Sequence, residues 1–245
     1  KVNIFDYSYP GDTNRLVFRK NKDSFNKILI DLSLSNSNLC NLGKKFSANK
    51  SPINLRGHRA SYTALYDLLF NQMKNKKIAL AEIGIAENSS IKMWRSFFSK
   101  ATIHGFELYD NLIKKAKKDK LQNTRYHKID VNNESSINNS FKKTKTKFDI
   151  IIDDSTHFFD DQIRIIKNCH KYLNSRGILI IEDIYKFQNK HNVPFVKNKH
   201  SEQNYYNNLK GIKKYFYDIM FIEIDHVNSF TASWKCEKIL LLIKK

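Results

Sequence analysis

Asp153, Asp154, His157, Glu182 and Asp183 are the residues of this sequence best suited to chemistry. They close two similar stretches: Phe148 to His157 reads Phe-Asp-Ile-Ile-Ile-Asp-Asp-Ser-Thr-His, and Gly177 to Asp183 reads Gly-Ile-Leu-Ile-Ile-Glu-Asp. Two acid pairs and an imidazole on one rim suit proton transfer, or ligation of a hard cation by oxygens arriving from different sides. These residue types locate a site and leave both chemistries open.

The elements that must position them follow from hydrophobic pattern. Ile150-Ile151-Ile152 and Ile178-Leu179-Ile180-Ile181 are uninterrupted β-branched and aliphatic runs, as in parallel strands buried on both faces. Between them Ile163, Ile166 and Leu173 recur at helical spacing, and Ser175-Arg176-Gly177 supplies a stop. A strand–helix–strand unit makes both strands parallel, so their carboxyl ends share one edge, where open parallel sheets bind ligands.

The same logic extends upstream. Ile78 to Ile85 predicts a strand, Ala86 to Ser90 a tight turn, and Ile91-Lys92-Met93-Trp94 the start of a helix capped by Ser89 or Ser90. Backbone N–H groups at such a helix start face a nucleotide-type ligand. Gly84 is the lone glycine there, and Asn88, the residue that best tolerates positive φ, stands where a glycine would be comfortable. Ile103 to Glu107 predicts a second strand whose terminal acid can accept two ribose hydroxyls, and Tyr126 to Asp130 a third, again ending in an acid. Tyr62, Leu65, Tyr66, Leu68, Leu69 and Met73 mark a helical stripe, with His58 and Tyr62 near enough to its start to reach the crevice. Residues 1–40 read as an ordered flap with a strand at Lys27 to Leu32, 187–208 as a polar lid or loop, and 209–217 as a helix. Residues 219–225 and 238–243 read as a closing antiparallel strand pair, with Trp234 in the core or at its rim.

Bulk composition narrows the class. The 245 residues, 41% hydrophobic, suffice for one sizeable α/β domain with an appendage. No apolar run approaches the roughly 20 residues that cross a bilayer, and the first residues carry no apolar core of a secretion signal. Cys40, Cys169 and Cys236 lie far apart without a CxxC pair, which argues against a disulfide scaffold or structural zinc and for a cytoplasmic location. The formal charge of +19 admits nucleic acid, a membrane surface or an anionic substrate. Its lysines, however, are dispersed among asparagines, without an arginine-rich stripe or RNA-binding motif, which speaks for a compositional bias.

Glu82-Ile-Gly84-Ile, Glu107, Asp130 and Asp153-Asp154 at successive strand ends resemble the class I S-adenosylmethionine (SAM)-dependent methyltransferases. Asp154-Ser-Thr-His157, Asp161-Gln162 and Gly177 to Asp183 are similar to the metal-dependent O-methyltransferases of macrolide sugars and the related cephalosporin hydroxylase-like group. Leu42 to Phe46, Asn49-Lys50, His58 and Tyr62 to Phe70 resemble the segment preceding the SAM domain there, so the likeness covers residues 40–245. Two positions depart: Asn88 stands where the family's first motif carries a second glycine, and Asn49 stands where an acid precedes the lysine.

The resemblance implies a Rossmann-like, doubly wound and mostly parallel α/β sheet of seven strands with an antiparallel C-terminal strand. Residues 1–76 would then form an N-terminal extension and helical cap, and 77–245 the SAM-binding domain. It also implies roles. Glu82, Gly84, Asn88 and Ser89 would cradle the methionine part of SAM, Glu107 the ribose, with Asp130 and Asp153 beside the cofactor. Asp154, Glu182 and Asp183 would hold Mg²⁺, Asp154 and His157 would be catalytic with His157 as general base, and His58 and Tyr62 would meet the acceptor. The expected activity is O-methylation of a sugar or glycan-related hydroxyl, in surface-polysaccharide or secondary-metabolite synthesis, with a small-molecule or glycan partner and homo-oligomerisation admitted. An RNA ribose methyltransferase and a non-catalytic Rossmann-like binding protein are the alternatives. Prolines at 10, 52 and 194 alone exclude amino-directed base methylation of the Asn/Asp-Pro-Pro-Tyr type.

Overall fold

The computed structural model describes residues 5–7, 16–19, 23–185, 200–230 and 238–245. In chain order the elements are β1 (Phe5–Tyr7), β2 (Leu16–Arg19), β3 (Asn26–Asp31), α1 (Asn38–Lys45), α2 (Tyr62–Phe70), β4 (Ala79–Ile83), α3 (Ser89–Phe97), β5 (Thr102–Glu107) and α4 (Asp110–Lys118). There follow β6 (Thr124–Lys128), α5 (Glu134–Thr144), β7 (Phe148–Asp153), α6 (Phe159–Cys169), β8 (Leu173–Ile181), α7 (Glu202–Leu209), β9 (Phe216–Asp225) and β10 (Lys238–Lys244).

The strands form one sheet in the order β1-β2-β3-β9-β10-β8-β7-β4-β5-β6. From β9 to β6 this is the expected seven-stranded array: β8, β7, β4, β5 and β6 pair in parallel, and β10 lies antiparallel between β8 and β9. The N-terminal residues extend it. β3 pairs in parallel with β9, and β2 and β1 add antiparallel strands beyond it. What reads as a flap in the sequence is therefore the sheet's edge.

Side chains alternate across the sheet as period-2 geometry requires. Ala81, Ile83, Ile151, Leu179 and Ile181 face one core, covered by α5, α6 and α7. Leu80, Ile150, Ile152 and Ile180 face the other, where Tyr62, Tyr66, Phe70, Trp94 and Phe97 supply the packing. Among the described residues no helix is long and apolar enough to cross a membrane.

Three local readings need correction. Asn88, not a serine, occupies the cap position of α3, in the left-handed conformation (φ 67°). α6 ends at Cys169, and Ser175 to Gly177 lie inside β8, where the β7 register shifts and Arg176 adopts φ 63°. The helix expected over 209–217 begins earlier, with α7 at Glu202, continues as a 3₁₀ helix over 210–215 and gives way to β9 at Phe216. Trp234, Cys236 and most of the 187–208 lid reading fall outside the described residues.

Candidate active site

The carboxyl ends of β4, β5, β6 and β7 surround one cavity of about 510 Å³. Gly84, Ala86 and Ser89 line it from the loop after β4, Glu107 from the end of β5, Asn132 from beyond β6, and Asp154 and Thr156 from beyond β7. Gly84 sits at φ +85°, and a Cβ added there would lie 2.2 Å from the Asp154 carbonyl oxygen. Only glycine satisfies both the positive φ and that approach. The Glu107 carboxylate accepts backbone N–H bonds from Ile85 (3.3 Å) and Ala86 (3.2 Å) through one oxygen, and from Leu108 (2.8 Å) and Tyr109 (3.2 Å) through the other. It thus fastens the β4 loop to the β5 end.

Several expected cofactor residues do not line this cavity. Asn88 is buried and turned away, its amide donating to Asp119 Oδ2 at 2.8 Å and to the Tyr126 hydroxyl at 2.9 Å. Asp130 lies past the end of β6 and accepts from the Asn132 N–H at 2.9 Å, while Asn132 itself reaches the cavity. Glu82 is fully buried below the loop, accepting from Trp94 Nε1 at 2.9 Å. Burial pushes its carboxyl up to about 7 despite nearby Lys50.

Asp153 and Asp154 point to opposite faces, as successive extended residues do. Asp153 turns toward the α6 side, accepts from the Ser155 hydroxyl at 2.6 Å, and is pushed up to about 6 by burial. Asp154 turns into the cavity. Glu182 is fully buried on the α2 side, and both its oxygens are engaged: one accepts from the Tyr66 hydroxyl at 2.6 Å, the other from Lys50 Nζ. Burial, outweighing Lys50, holds its carboxyl well above the usual range.

Asp183, just past β8, departs from this alternation with φ 55°, and His157, in the loop before α6, adopts φ 59°. Both are left-handed conformations in non-glycine residues, which cluster where a site requires them. His157 Nε2 lies 3.3 Å from Asp183 Oδ2 and 4.0 Å from Asp154 Oδ1. Ligand atoms of Asp154, His157 and Asp183 all fall within 4.8 Å of one another, a spacing a divalent cation can bridge. Glu182, expected beside Asp154 and Asp183, lies outside this group, and His157 lies within it. Tyr62 joins it, donating its hydroxyl to Asp183 Oδ1 at 2.6 Å. His58 is half-buried on the loop before α2, outside both the cavity lining and this trio.

Sequence reasoning quoted Lys50 in the family resemblance but gave it no role. Its side chain is buried, with Nζ 2.6 Å from Asp154 Oδ2, 3.4 Å from Glu82 Oε1 and bonded to Glu182 Oε2. Burial alone would strip its proton, but the three carboxylates outweigh that and hold it well above the ordinary lysine range. In a chain so rich in lysine, only its place in the Asn49-Lys50 pair of the family resemblance distinguishes it.

Residues 74–235 match a family model described as a methyltransferase domain. A curated relative, the mycinamicin VI 2''-O-methyltransferase of Micromonospora griseorubida, is 27% identical over 104 residues, which cover 39% of this chain and 24% of that protein. Among solved structures, the MycE methyltransferase from the mycinamycin biosynthetic pathway, in complex with Mg, SAH and mycinamycin VI, superposes with a TM-score of 0.61 at 17% identity, covering 85% of this chain and 55% of that one. An O-methyltransferase from Bacillus cereus in complex with SAH gives 0.55 at 14% identity, covering 86% and 93%. At these identities the likeness establishes a shared fold, and the chain spans about half the length of the mycinamycin enzyme.

Proposed function

The chain belongs to the methyltransferase-domain family, and from that premise we propose that it is a SAM-dependent, Mg²⁺-assisted O-methyltransferase acting on a hydroxyl of a sugar or glycan-related acceptor. The observation that carries this reading is continuity. The cavity that begins at the Gly84 loop ends at Asp154, the residue that also opens the Asp154–His157–Asp183 trio.

The residues present fit both bound groups. Gly84 keeps the loop floor free of a Cβ, and Glu107 offers a fixed carboxylate where ribose hydroxyls would lie. Asp154 and Asp183 offer hard oxygens from two adjacent strand ends, as Mg²⁺ prefers. The bound cation would orient the acceptor hydroxyl and lower its pKa. SAM would supply a methyl group on a positively charged sulfur.

The protein's own contribution is placement and proton removal. His157 would take the acceptor hydroxyl's proton as that oxygen is methylated, and the Asp183 carboxylate, 3.3 Å from the imidazole, would stabilise the imidazolium. Such a base contributes typically about 10²–10⁴-fold. A relative named as a mycinamicin VI 2''-O-methyltransferase supports a hydroxyl acceptor, and our reading places the reaction in secondary-metabolite or surface-polysaccharide synthesis.

His157→Asn tests the assignment. Turnover with a sugar-bearing acceptor panel should fall by at least about 100-fold, while calorimetry shows S-adenosylhomocysteine binding unchanged. Full activity in that variant would remove the base from the mechanism, and absence of S-adenosylhomocysteine binding to the wild type would remove the methyltransferase reading.

A further inference from the structure

Lysines that are dispersed in the sequence are gathered by the sheet at its other edge, away from the cavity. β7, β8 and β9 begin there and β10 ends there, and the four are consecutive neighbours in the order β9-β10-β8-β7. Lys147 precedes β7, Lys171 and Tyr172 precede β8, Lys214 and Tyr215 precede β9, and Lys244 closes β10. At strand spacing this row runs about 14 Å. Lys147 and Lys171 both lie over the Tyr172 ring, at 5.9 and 5.7 Å, and Lys214 and Lys244 both lie over Tyr215, each at 5.1 Å. His170 stacks on that same Tyr215 ring at 5.2 Å. Among the described residues none of the four ammonium groups meets a carboxylate. The acids near these strand starts are engaged elsewhere: Asp149 accepts from the Ala79 N–H and the Asn174 amide, both at 2.8 Å, and Asp218 from the Asn26 amide at 2.9 Å. The crowded cations weaken one another. Burial and Lys147 hold the Lys244 ammonium below the ordinary lysine range, and burial, Lys244 and Lys171 push His170 down to about 4. The rings offset part of that cost, and no acid offsets the rest.

We propose that this row is a docking surface for an anionic lipid bilayer, placed so that the cavity edge faces away from the membrane. Its four cations are lysines, compact charges that answer a diffuse negative surface and lack the planar fork with which arginine grips a phosphate or a base edge. Tyr172 and Tyr215 are occupied by ammonium groups and an imidazole, so their faces are not offered to unstacked bases, as single-stranded nucleic acid would require. Tyr217, 61% exposed, stands two residues beyond Tyr215 and presents an apolar ring with a polar tip, the side chain suited to headgroup depth. Lysines close to an anionic bilayer each add to the attraction, whichever headgroup carries the charge. The row lies at the amino ends of the parallel strands and the cavity at their carboxyl ends, so a docked chain leaves the Gly84 and Asp154 loops open to solvent.

The test is flotation of the full chain with vesicles of phosphatidylcholine, alone or with about 30% phosphatidylserine, at about 0.1 M salt. Wild type should partition onto the anionic vesicles at least about tenfold more strongly than onto the neutral ones. Lys147→Gln/Lys171→Gln/Lys244→Gln should weaken the anionic partition by at least about 30-fold. The control Lys114→Gln/Lys117→Gln/Lys118→Gln removes the same charge from exposed positions of α4 and should stay within about threefold of wild type. Tyr217→Ser, at an exposed position that leaves the net charge alone, should lower the partition by about three- to tenfold, and it decides alone if the triple variant melts early. Equal binding to neutral and anionic vesicles overturns the proposal. So does a control that loses as much as the row variant, because the attraction would then belong to the chain's charge as a whole. A row variant that keeps its vesicle binding but loses that of a single-stranded RNA oligonucleotide, read by fluorescence anisotropy, overturns it in favour of nucleic acid.

Discussion

Tyr62 and Asp183 hydrogen-bond each other twice: the phenol donates to Asp183 Oδ1 at 2.6 Å, and the Asp183 backbone N–H donates to the phenol oxygen at 3.0 Å. One side chain thereby fixes both the carboxylate and the left-handed backbone of the residue that faces His157. Tyr62→Phe deletes both bonds without changing the ring. A hydrogen bond to a charged group is worth about 1.5–3 kcal/mol, so kcat should fall by about 10- to 100-fold while the SAM KM barely moves. Steady-state kinetics decides it, and an unchanged kcat would show that Asp183 holds its position without help.

Gly84 tolerates no side chain. At φ +85° a methyl group would meet the Asp154 carbonyl at 2.2 Å, a backbone atom that cannot rotate away. Gly84→Ala should cost at least about 2 kcal/mol of stability and push the donor loop and Asp154 apart. Thermal unfolding and S-adenosylhomocysteine titration should worsen together. A variant that binds normally would mean that the loop can move without consequence.

Asn88 makes an ordering prediction. Its φ of 67° costs about 1–2 kcal/mol relative to glycine, but its amide ties the loop to Asp119 and Tyr126, and the first of these bonds is charge-assisted. Asn88→Ala keeps the backbone cost and loses the bonds, so it should be the least stable. Asn88→Gly should lie between Ala and wild type, about 1 kcal/mol below the latter. Urea titrations of the three proteins test the order. If the glycine variant exceeds wild type, the amide clamp contributes nothing.

Asp153 sets a pH dependence. Its carboxyl is raised from 3.8 to about 6 in the folded protein, chiefly by burial. The folded state therefore holds the proton more firmly than the unfolded chain. This contribution to stability is full below 3.8 and is lost as pH rises through about 6, at up to about 1.4 kcal/mol per pH unit. Asp153→Asn keeps an oxygen for the Ser155 hydroxyl and removes the titration. The variant's stability relative to wild type should rise between pH 4 and 7 in chemical denaturation. A pH-independent difference would refute the buried-acid assignment. Glu82, raised to about 7, acts in the same direction and persists in this variant.

The strands were legible because buried parallel strands demand uninterrupted aliphatic runs, and Ile150 to Ile152 and Ile178 to Ile181 have little else to be. The acids at their ends marked the right edge of the sheet. Less legible was which acid of each pair enters the cavity. Alternation separates Asp153 from Asp154, but the backbone reversal at Asp183 cannot be read from residue types. Lys50 was quoted in the resemblance but given no role, because nothing in a lysine's sequence context announces burial among carboxylates that come from strands far along the chain. Tyr66 sat unnoticed in a helical apolar stripe, where its ring belongs and only its hydroxyl does otherwise. Leu68 of the same stripe faces outward. The first strands were faint because β3 is only half-buried, so its pattern is mixed.

The parallel pairing of β3 with β9 has a consequence for how copies of this protein behave toward one another. Phe216–Asp225 is a long strand with a largely buried pattern, and without β3 its outer N–H and C=O groups would lie open as a template for another chain. Among the described residues the N-terminal strands carry the sheet on to Phe5–Tyr7. Cutting the chain after Asp31 should therefore yield a catalytic sheet that sticks to itself, its insolubility arising from an uncovered ladder and not from any loss at the active site.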